Sequence, residues 1–461
     1  MSLLAAFAVP HPPIILPEIG RGEEKKIAQT TEAYEEAMKE AAALKPETVI
    51  ITSPHATCYY DYFHISPGAE AQGDFGRFNA PEVKIKAAYD TDFVRELTAI
   101  CEEKGISAGT SGEKDPSLDH GTMIPLYFLQ KFAKDFKIVR IGLSGLPPLE
   151  GYRLGKAIAE AAEKLQRRVV LIASGDLSHC LKEDGPYGFN QAGPVFDREI
   201  TAQLAQADFR SFFGYDPVFL ENAAECGLGS FQIMAGALDK KAVESKLLSY
   251  EGPFGVGYGV ASFFLKGDDP TRDFEKILTE EKKARMDERK AHEDEYVRLA
   301  RLTLETYLTT GQIIPIPAAL PPEMTGKRAG VFVSLHKDGD LRGCIGTFSP
   351  VYKNIADEII HNAIAAGTED PRFPQVEASE LADLVYSVDV LSPFEAISSS
   401  AELDPKRYGV IVQKGSRRGL LLPNLDGVET PEQQIEIAKK KAGITKQEKV
   451  SLYRFEAIRH L

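Results

Sequence analysis

Four of the chain's nine histidines sit in short segments built for chemistry: Pro10-His11-Pro12-Pro13, Ser53-Pro54-His55, Asp119-His120-Gly121 and Ser174-Gly175-Asp176-Leu177-Ser178-His179. A neutral imidazole is the commonest protein metal ligand, and its ordinary pKa lets it move protons near neutral pH. Two imidazoles and a carboxylate on one face, with coordination positions left open, make the site of non-haem Fe(II) oxygenases. A three-ligand zinc site draws on similar residue types and activates water instead, so the residues alone leave the reaction open. One loop histidine is ordinarily a hydrogen-bonded surface residue. Four in such positions within the first 180 residues point to a site.

Three of these segments follow short apolar runs rich in Val, Ile and Leu. Leu3 to Val9 leads to His11, Thr48 to Thr52 to His55, and Val169 to Ala173 to His179. Ile138 to Leu143 is a fourth run, and helical signals fill Glu23 to Leu44 and Gly151 to Leu165. Asp119-His120-Gly121 lies just before an apolar helix expected over Met123 to Phe132. Strands alternating with helices predict an α/β domain with a mixed sheet flanked by helices. In such sheets ligands bind beyond the carboxyl ends of the strands, where these loops can converge. The last run, Val256 to Leu265, ends at Lys266-Gly267-Asp268-Asp269-Pro270, a cluster of breakers, which places the first boundary there.

The expected organisation is a first domain over 1–267, a charged helical linker over 268–293 and a second domain over 294–461. The second has α+β character. Gly330 to Leu335 and Leu341 to Thr347 should pair as a hairpin through Lys337-Asp338-Gly339-Asp340, with a further strand at Leu384 to Leu391 and a helix near Pro431 to Ala442. Cys344, in Gly343-Cys344-Ile345-Gly346, is a nucleophile candidate weighed against an ordinary strand thiol, with His336 and His361 as conceivable bases. Arg342, Asp370 and Arg372 read as an ion-paired latch in preference to an anion site.

Composition sets the class. The chain has 461 residues, 43% hydrophobic and 26% charged, as expected of soluble globular domains. With a net charge of −14 and no basic excess in either part, nucleic acid is not an expected partner. No apolar run is long enough to span a membrane, and no signal segment is visible, so a cytoplasmic place is expected. The five cysteines show no CxxC spacing and are expected to be reduced thiols.

In their order and spacing, the four histidine segments resemble the LigB superfamily of class III extradiol ring-cleaving dioxygenases and the related Memo-like proteins, across residues 1 to 265. The resemblance implies that His11 and His55 are metal ligands, that His120 and His179 orient or shuttle protons, and that Asp176 holds its loop or a histidine tautomer. It implies a divalent metal, Fe(II) favoured over Zn or Cu, and a small aromatic or peptide substrate. The third ligand departs from the dioxygenase pattern: the Gly-rich stretch Ala224-Glu225-Cys226-Gly227-Leu228-Gly229-Ser230-Phe231-Gln232 places Gln232 where those enzymes carry glutamate. Memo-like proteins carry a Cys-Gly pair, matched by Cys226-Gly227. The third ligand is therefore expected to be Glu225 or Cys226.

The second domain resembles the AMMECR family through Gly330 to Thr347, Asp370-Pro371-Arg372-Phe373-Pro374 and Gly419-Leu420-Leu421-Leu422-Pro423-Asn424. The fusion is similar to the arrangement in AmmeMemoRadiSam systems, which implies a separate Memo-like protein and a radical S-adenosylmethionine protein as partners. The expected function is thus a metal-dependent oxygenase or redox enzyme of the extradiol dioxygenase/Memo superfamily. A non-catalytic peptide- or ligand-binding module and a zinc-dependent hydrolase are the alternatives.

Overall fold

Continuous apolar runs make buried parallel strands, because a strand covered on both faces has no solvent side to mark with polar residues. In the computed structural model, which describes residues 2–425 and 427–461, four such strands lie side by side: β1 (Leu3–Val9), β2 (Thr48–Ser53), β3 (Lys137–Gly142) and β4 (Val169–Ser174). Two antiparallel strands, β5 (Lys241–Glu251) and β6 (Tyr258–Asp268), complete a six-stranded sheet in the order β3-β2-β4-β1-β6-β5. Alternate residues divide between two cores. Ala6, Ala8, Ile50 and Leu171 face one, covered by α3 (Pro148–Leu165) and α4 (Leu228–Ala237). Phe7, Val9, Ile51 and Ile172 face the other, with α1 (Ala28–Ala43) and α2 (His120–Leu129).

Two boundaries differ from the sequence expectation. Strand β6 runs through Lys266-Gly267-Asp268, absorbing the glycine as a register shift between Leu265 and Gly267 instead of ending there. Helix α2 begins at His120 itself, because the Asp119 side chain accepts from Thr122 N and caps it. The chain divides into two compact units, one ending at Thr279 and one beginning at Glu280, and the division falls inside the helix Phe274–His292.

The second unit contains the helix Glu295–Thr310, capped by Asp294, and two four-stranded antiparallel sheets. One orders Asp340–Gly346, Val331–Lys337, Leu384–Leu391 and Ala457–His460; the other Glu395–Ile397, Ser451–Phe455, Gly409–Lys414 and Arg417–Leu421. The expected hairpin turns at Asp338-Gly339, both with positive φ, and Lys337 pairs with Asp340. Among the described residues no helix is long and apolar enough to cross a membrane.

Candidate metal centre

Strand order decides which loops meet. Strand β4 lies between β1 and β2, with Val9 paired to Ser174 and Thr52 to Ala173, so the segments after these three strands emerge together at the carboxyl edge. They are then tied to one another. The Asp176 carboxylate accepts from His11 N at 2.7 Å, and Ser53 Oγ donates to Asp119 Oδ1 at 2.6 Å. The Ser174 hydroxyl donates to Gly121 O at 2.6 Å. Gly121 has no room for a side chain: a Cβ there would fall 2.4 Å from Ser53 Oγ. The last loop arrives the same way, since a Cβ on Gly175 would lie 2.1 Å from Gly227 Cα. That approach sets Cys226 beside the Asp176 backbone, with Cys226 N 3.4 Å from Asp176 O.

The hydrogen bonds fix the tautomer of His11. The single proton of Ser174 Oγ is spent on Gly121 O, so at 3.0 Å from His11 Nδ1 it accepts from that nitrogen. His11 Nε2 therefore carries a lone pair, and it points at His55 Nε2, 3.0 Å away, and Cys226 Sγ, 3.6 Å away. The three donor atoms lie within 4.8 Å of one another. Metal–nitrogen bonds of about 2.0–2.1 Å and a metal–sulfur bond of about 2.3 Å, at tetrahedral angles, separate nitrogen from sulfur by about 3.6 Å and two nitrogens by about 3.3 Å. The His/His/Cys group fits a divalent ion on this count, and His55, exposed beside a cavity, leaves that side open. Burial, then the Asp176 charge, pushes the Cys226 thiol well above its ordinary pKa, so a thiolate there calls for a cation. Burial, then His55, holds His11 well below its ordinary value, in the neutral form that binds metal.

The other expected residues take distinct places. Glu225 turns away from the group: its carboxylate accepts from Leu228 N at 2.7 Å at the start of α4, and burial pushes it up to about 7. Gln232 lies farther along α4 and donates to Phe212 O at 2.9 Å. Asp176 holds the His11 backbone, whereas the His11 tautomer is set by Ser174; burial pushes its carboxyl up to about 6. His120 packs its ring 4.0 Å from that of His55 and 5.4 Å from that of His11. Burial, with the two neighbouring histidines, drives it down to about 3. His179 donates from Nδ1 to Ala224 O at 2.6 Å and lays its ring against Tyr187, leaving Nε2 as an acceptor.

His55 and His120 line a cavity of about 680 Å³, with Asp119, Arg77, Lys84 and Arg140 among its walls. Sequence reasoning missed Arg140. It is 1% exposed in strand β3, donates to Ser66 Oγ at 2.7 Å and Ser117 O at 2.6 Å, and lies 3.4 Å from Glu113 and 3.7 Å from Asp119. It thereby braces the residue that caps α2. A lone charge inside Ile138-Val139-Arg140-Ile141-Gly142 was the available signal, because a buried strand carries a charge only where something pairs with it.

In the second unit the expected latch is split. Arg372 pairs with Asp370 at 2.6 Å, and together they grip the Cys344 backbone, Asp370 accepting from its N at 2.9 Å and Arg372 donating to its O at 3.1 Å. Arg342 belongs to a different pair, with Glu380 at 2.9 Å. His336 shares a cavity with Cys344, while His361 stacks on Tyr352 and donates to Asp357 O.

Residues 5–261 match the family described as the catalytic LigB subunit of aromatic ring-opening dioxygenase, and residues 297–460 match AMMECR1. A Clostridium acetobutylicum protein is 45% identical over 480 residues, covering 100% of this chain and 99% of its own. A Thermotoga maritima protein is 53% identical over 170 residues, covering 36% of this chain and 98% of its own. A solved structure of an uncharacterised Pyrococcus horikoshii protein is 36% identical, covers 36% of this chain and 88% of its own, and superposes with a TM-score of 0.34. Matched over more than half its length, the chain belongs to the LigB family of ring-opening dioxygenase subunits and carries an AMMECR1 domain joined to it.

Proposed function

We propose that the first unit is a metal-dependent oxygenase or redox enzyme acting on a small aromatic or peptide substrate that enters the His55–His120 cavity. The observation that carries this reading is the convergence of His11 Nε2, His55 Nε2 and Cys226 Sγ, with the first locked as a lone-pair donor by Ser174. His11, His55 and Cys226 would hold the ion, iron(II) by family resemblance, with zinc or copper as the other candidates. Such an ion supplies Lewis acidity and redox capacity at open coordination positions.

The chain's own groups divide the remaining work. His120, held down to about 3, is too weak a base to keep a substrate proton at neutral pH and acts as a hydrogen-bond partner that orients a hydroxyl. His179, its Nδ1 proton committed to Ala224 O, offers Nε2 to receive a proton. Asp176 keeps the His11 loop in register through the backbone bond. The joined AMMECR1 domain supports a place in a modification system beside a Memo-like protein and a radical S-adenosylmethionine protein, tested by co-purification with the full chain. Five free cysteines accord with a reducing, cytoplasmic setting.

The test is metal analysis of the purified protein with catechol-dependent oxygen uptake. About one ion per chain is expected, lost in His11→Ala and Cys226→Ser; folded variants that keep full metal content would refute the ligand assignment. Because Cys226 is a soft donor, zinc-dependent hydrolysis is the second reading. Zinc retention with turnover independent of oxygen would select it.

A further inference from the structure

The second unit holds a cavity of about 590 Å³ whose walls have a lopsided chemistry. Phe332, Phe348 and Leu420 give it an apolar face, and four cationic side chains, Arg372, Arg418, Lys441 and Arg459, line it; no acidic side chain is among its described walls, which also include Leu461 with its backbone carboxylate. Two of the four are neutralised from behind, Arg372 by Asp370 at 2.6 Å and Arg459 by Asp389 at 2.9 Å. The other two are not. Among the described residues neither Arg418 nor Lys441 has a hydrogen bond or an ion pair, and Arg418 Nε is enclosed with no acceptor at all. The Arg418 guanidinium rests instead on the Phe394 and Phe348 rings, 4.9 and 5.7 Å from their centroids. Those contacts fix the plane of the fork without cancelling its charge.

An enclosed donor without an acceptor, as at Arg418 Nε, is unfavourable, and with the exposed Lys441 ammonium beside it and aromatic walls around it the cavity suits an anion with an apolar body. We propose that this cavity binds a small organic anion, a carboxylate or phosphate on an apolar or aromatic group, with Arg418 and Lys441 as its counter-charges and Cys344 on its wall. Arg418 offers the planar fork that carboxylate and phosphate oxygens match, and Lys441 a mobile point charge. Cys344, half-buried, accepts from Ser334 Oγ at 3.2 Å, and its backbone is held by the Asp370–Arg372 pair, so its thiol reports on occupancy of the cavity.

The full chain is titrated calorimetrically with phenyl phosphate, benzoate, neutral benzamide and inorganic phosphate, and iodoacetamide alkylation of Cys344 is followed by peptide mass spectrometry with each probe. Phenyl phosphate or benzoate should bind and slow alkylation of Cys344 several-fold, the better of the two identifying the head group. Arg418→Gln and Lys441→Gln should each weaken that probe about tenfold or more, the weight of one charge-assisted hydrogen bond. Lys441 is exposed, so its variant decides the matter if the arginine variant fails to fold. Equal protection by benzamide, binding of inorganic phosphate as tight as phenyl phosphate, unchanged affinity in folded Lys441→Gln, or no protection by either organic anion would each overturn the proposal.

Discussion

Gly175→Ala tests whether close loop approach is what brings the thiol to the histidines. The new Cβ would stand 2.1 Å from Gly227 Cα and 3.0 Å from its nitrogen, where carbon pairs settle at about 3.5–4.0 Å. The two loops must part by about 1.5 Å, at an overpacking cost of about 1–3 kcal/mol. Cys226 immediately precedes Gly227, so its Sγ would move from 3.6 Å to about 5 Å from His11 Nε2, beyond the about 4.4 Å that one ion's nitrogen and sulfur bonds can span even in line. His11 and His55 lie on the other loops and keep their places. Cobalt(II) titration should therefore show a thiolate charge-transfer band in the parent chain, its loss in Gly175→Ala, and affinity lower by about 10- to 100-fold. Cys226→Ser should reproduce the spectral loss without the drop in urea stability. A folded Gly175→Ala protein that keeps the thiolate band and the parent affinity would refute the placement of Cys226.

Three further outcomes follow from the same contacts. Ser174→Ala leaves His11 Nδ1 without its acceptor and Gly121 O without its donor; metal affinity measured against a chelator should fall about 10- to 100-fold while Cys226 still binds. Arg140→Met removes the counter-charge of Glu113 and Asp119 from a buried strand and should cost about 3–5 kcal/mol in chemical denaturation, with Arg140→Lys intermediate. Burial pushes Asp197 up to about 6 against the bonds from Tyr250 and Ser178, so the folded chain keeps that proton where the unfolded chain has lost it. Stability from this group is full below about pH 4 and falls as pH rises to about 6, by up to about 3 kcal/mol; Asp197→Asn should flatten the pH profile of unfolding free energy in that window.

Three of the four histidine loops were legible because each follows a strand whose apolar run is unmistakable, and the α/β reading needed nothing more. That these loops could converge followed from the α/β class, but which of them meet depends on β4 lying between β1 and β2, which no local pattern encodes. Strand β5 went unseen for a related reason: its residues are half-exposed at a sheet edge, and Lys241, Glu244 and Lys246 mask its period. The helix-first position of His120 depended on a cap, and Asp119 was visible as one only once its bond to Thr122 N was known.

Glu225 and Cys226 show how a local demand sends two neighbouring side chains in different directions where spacing treats them alike. The two are neighbours, and by charge alone the glutamate is the better ligand for a hard ion. A helix start, however, leaves its first N–H groups without partners, and a carboxylate nearby satisfies one of them while meeting the positive end of the helix dipole. Glu225 does this for Leu228 N, directly after Ala224 turns through the left-handed region at φ 49°. With that carboxylate committed to the helix, it is the next side chain, the Cys226 thiol, that stands 3.6 Å from His11 Nε2. If Glu225→Ala, which removes the acceptor at the start of α4, leaves the cobalt spectrum unaltered, the glutamate is a cap alone; an oxygen-ligand cobalt spectrum in Cys226→Ala, abolished in the double variant, would show instead that Glu225 can swing in as the third ligand.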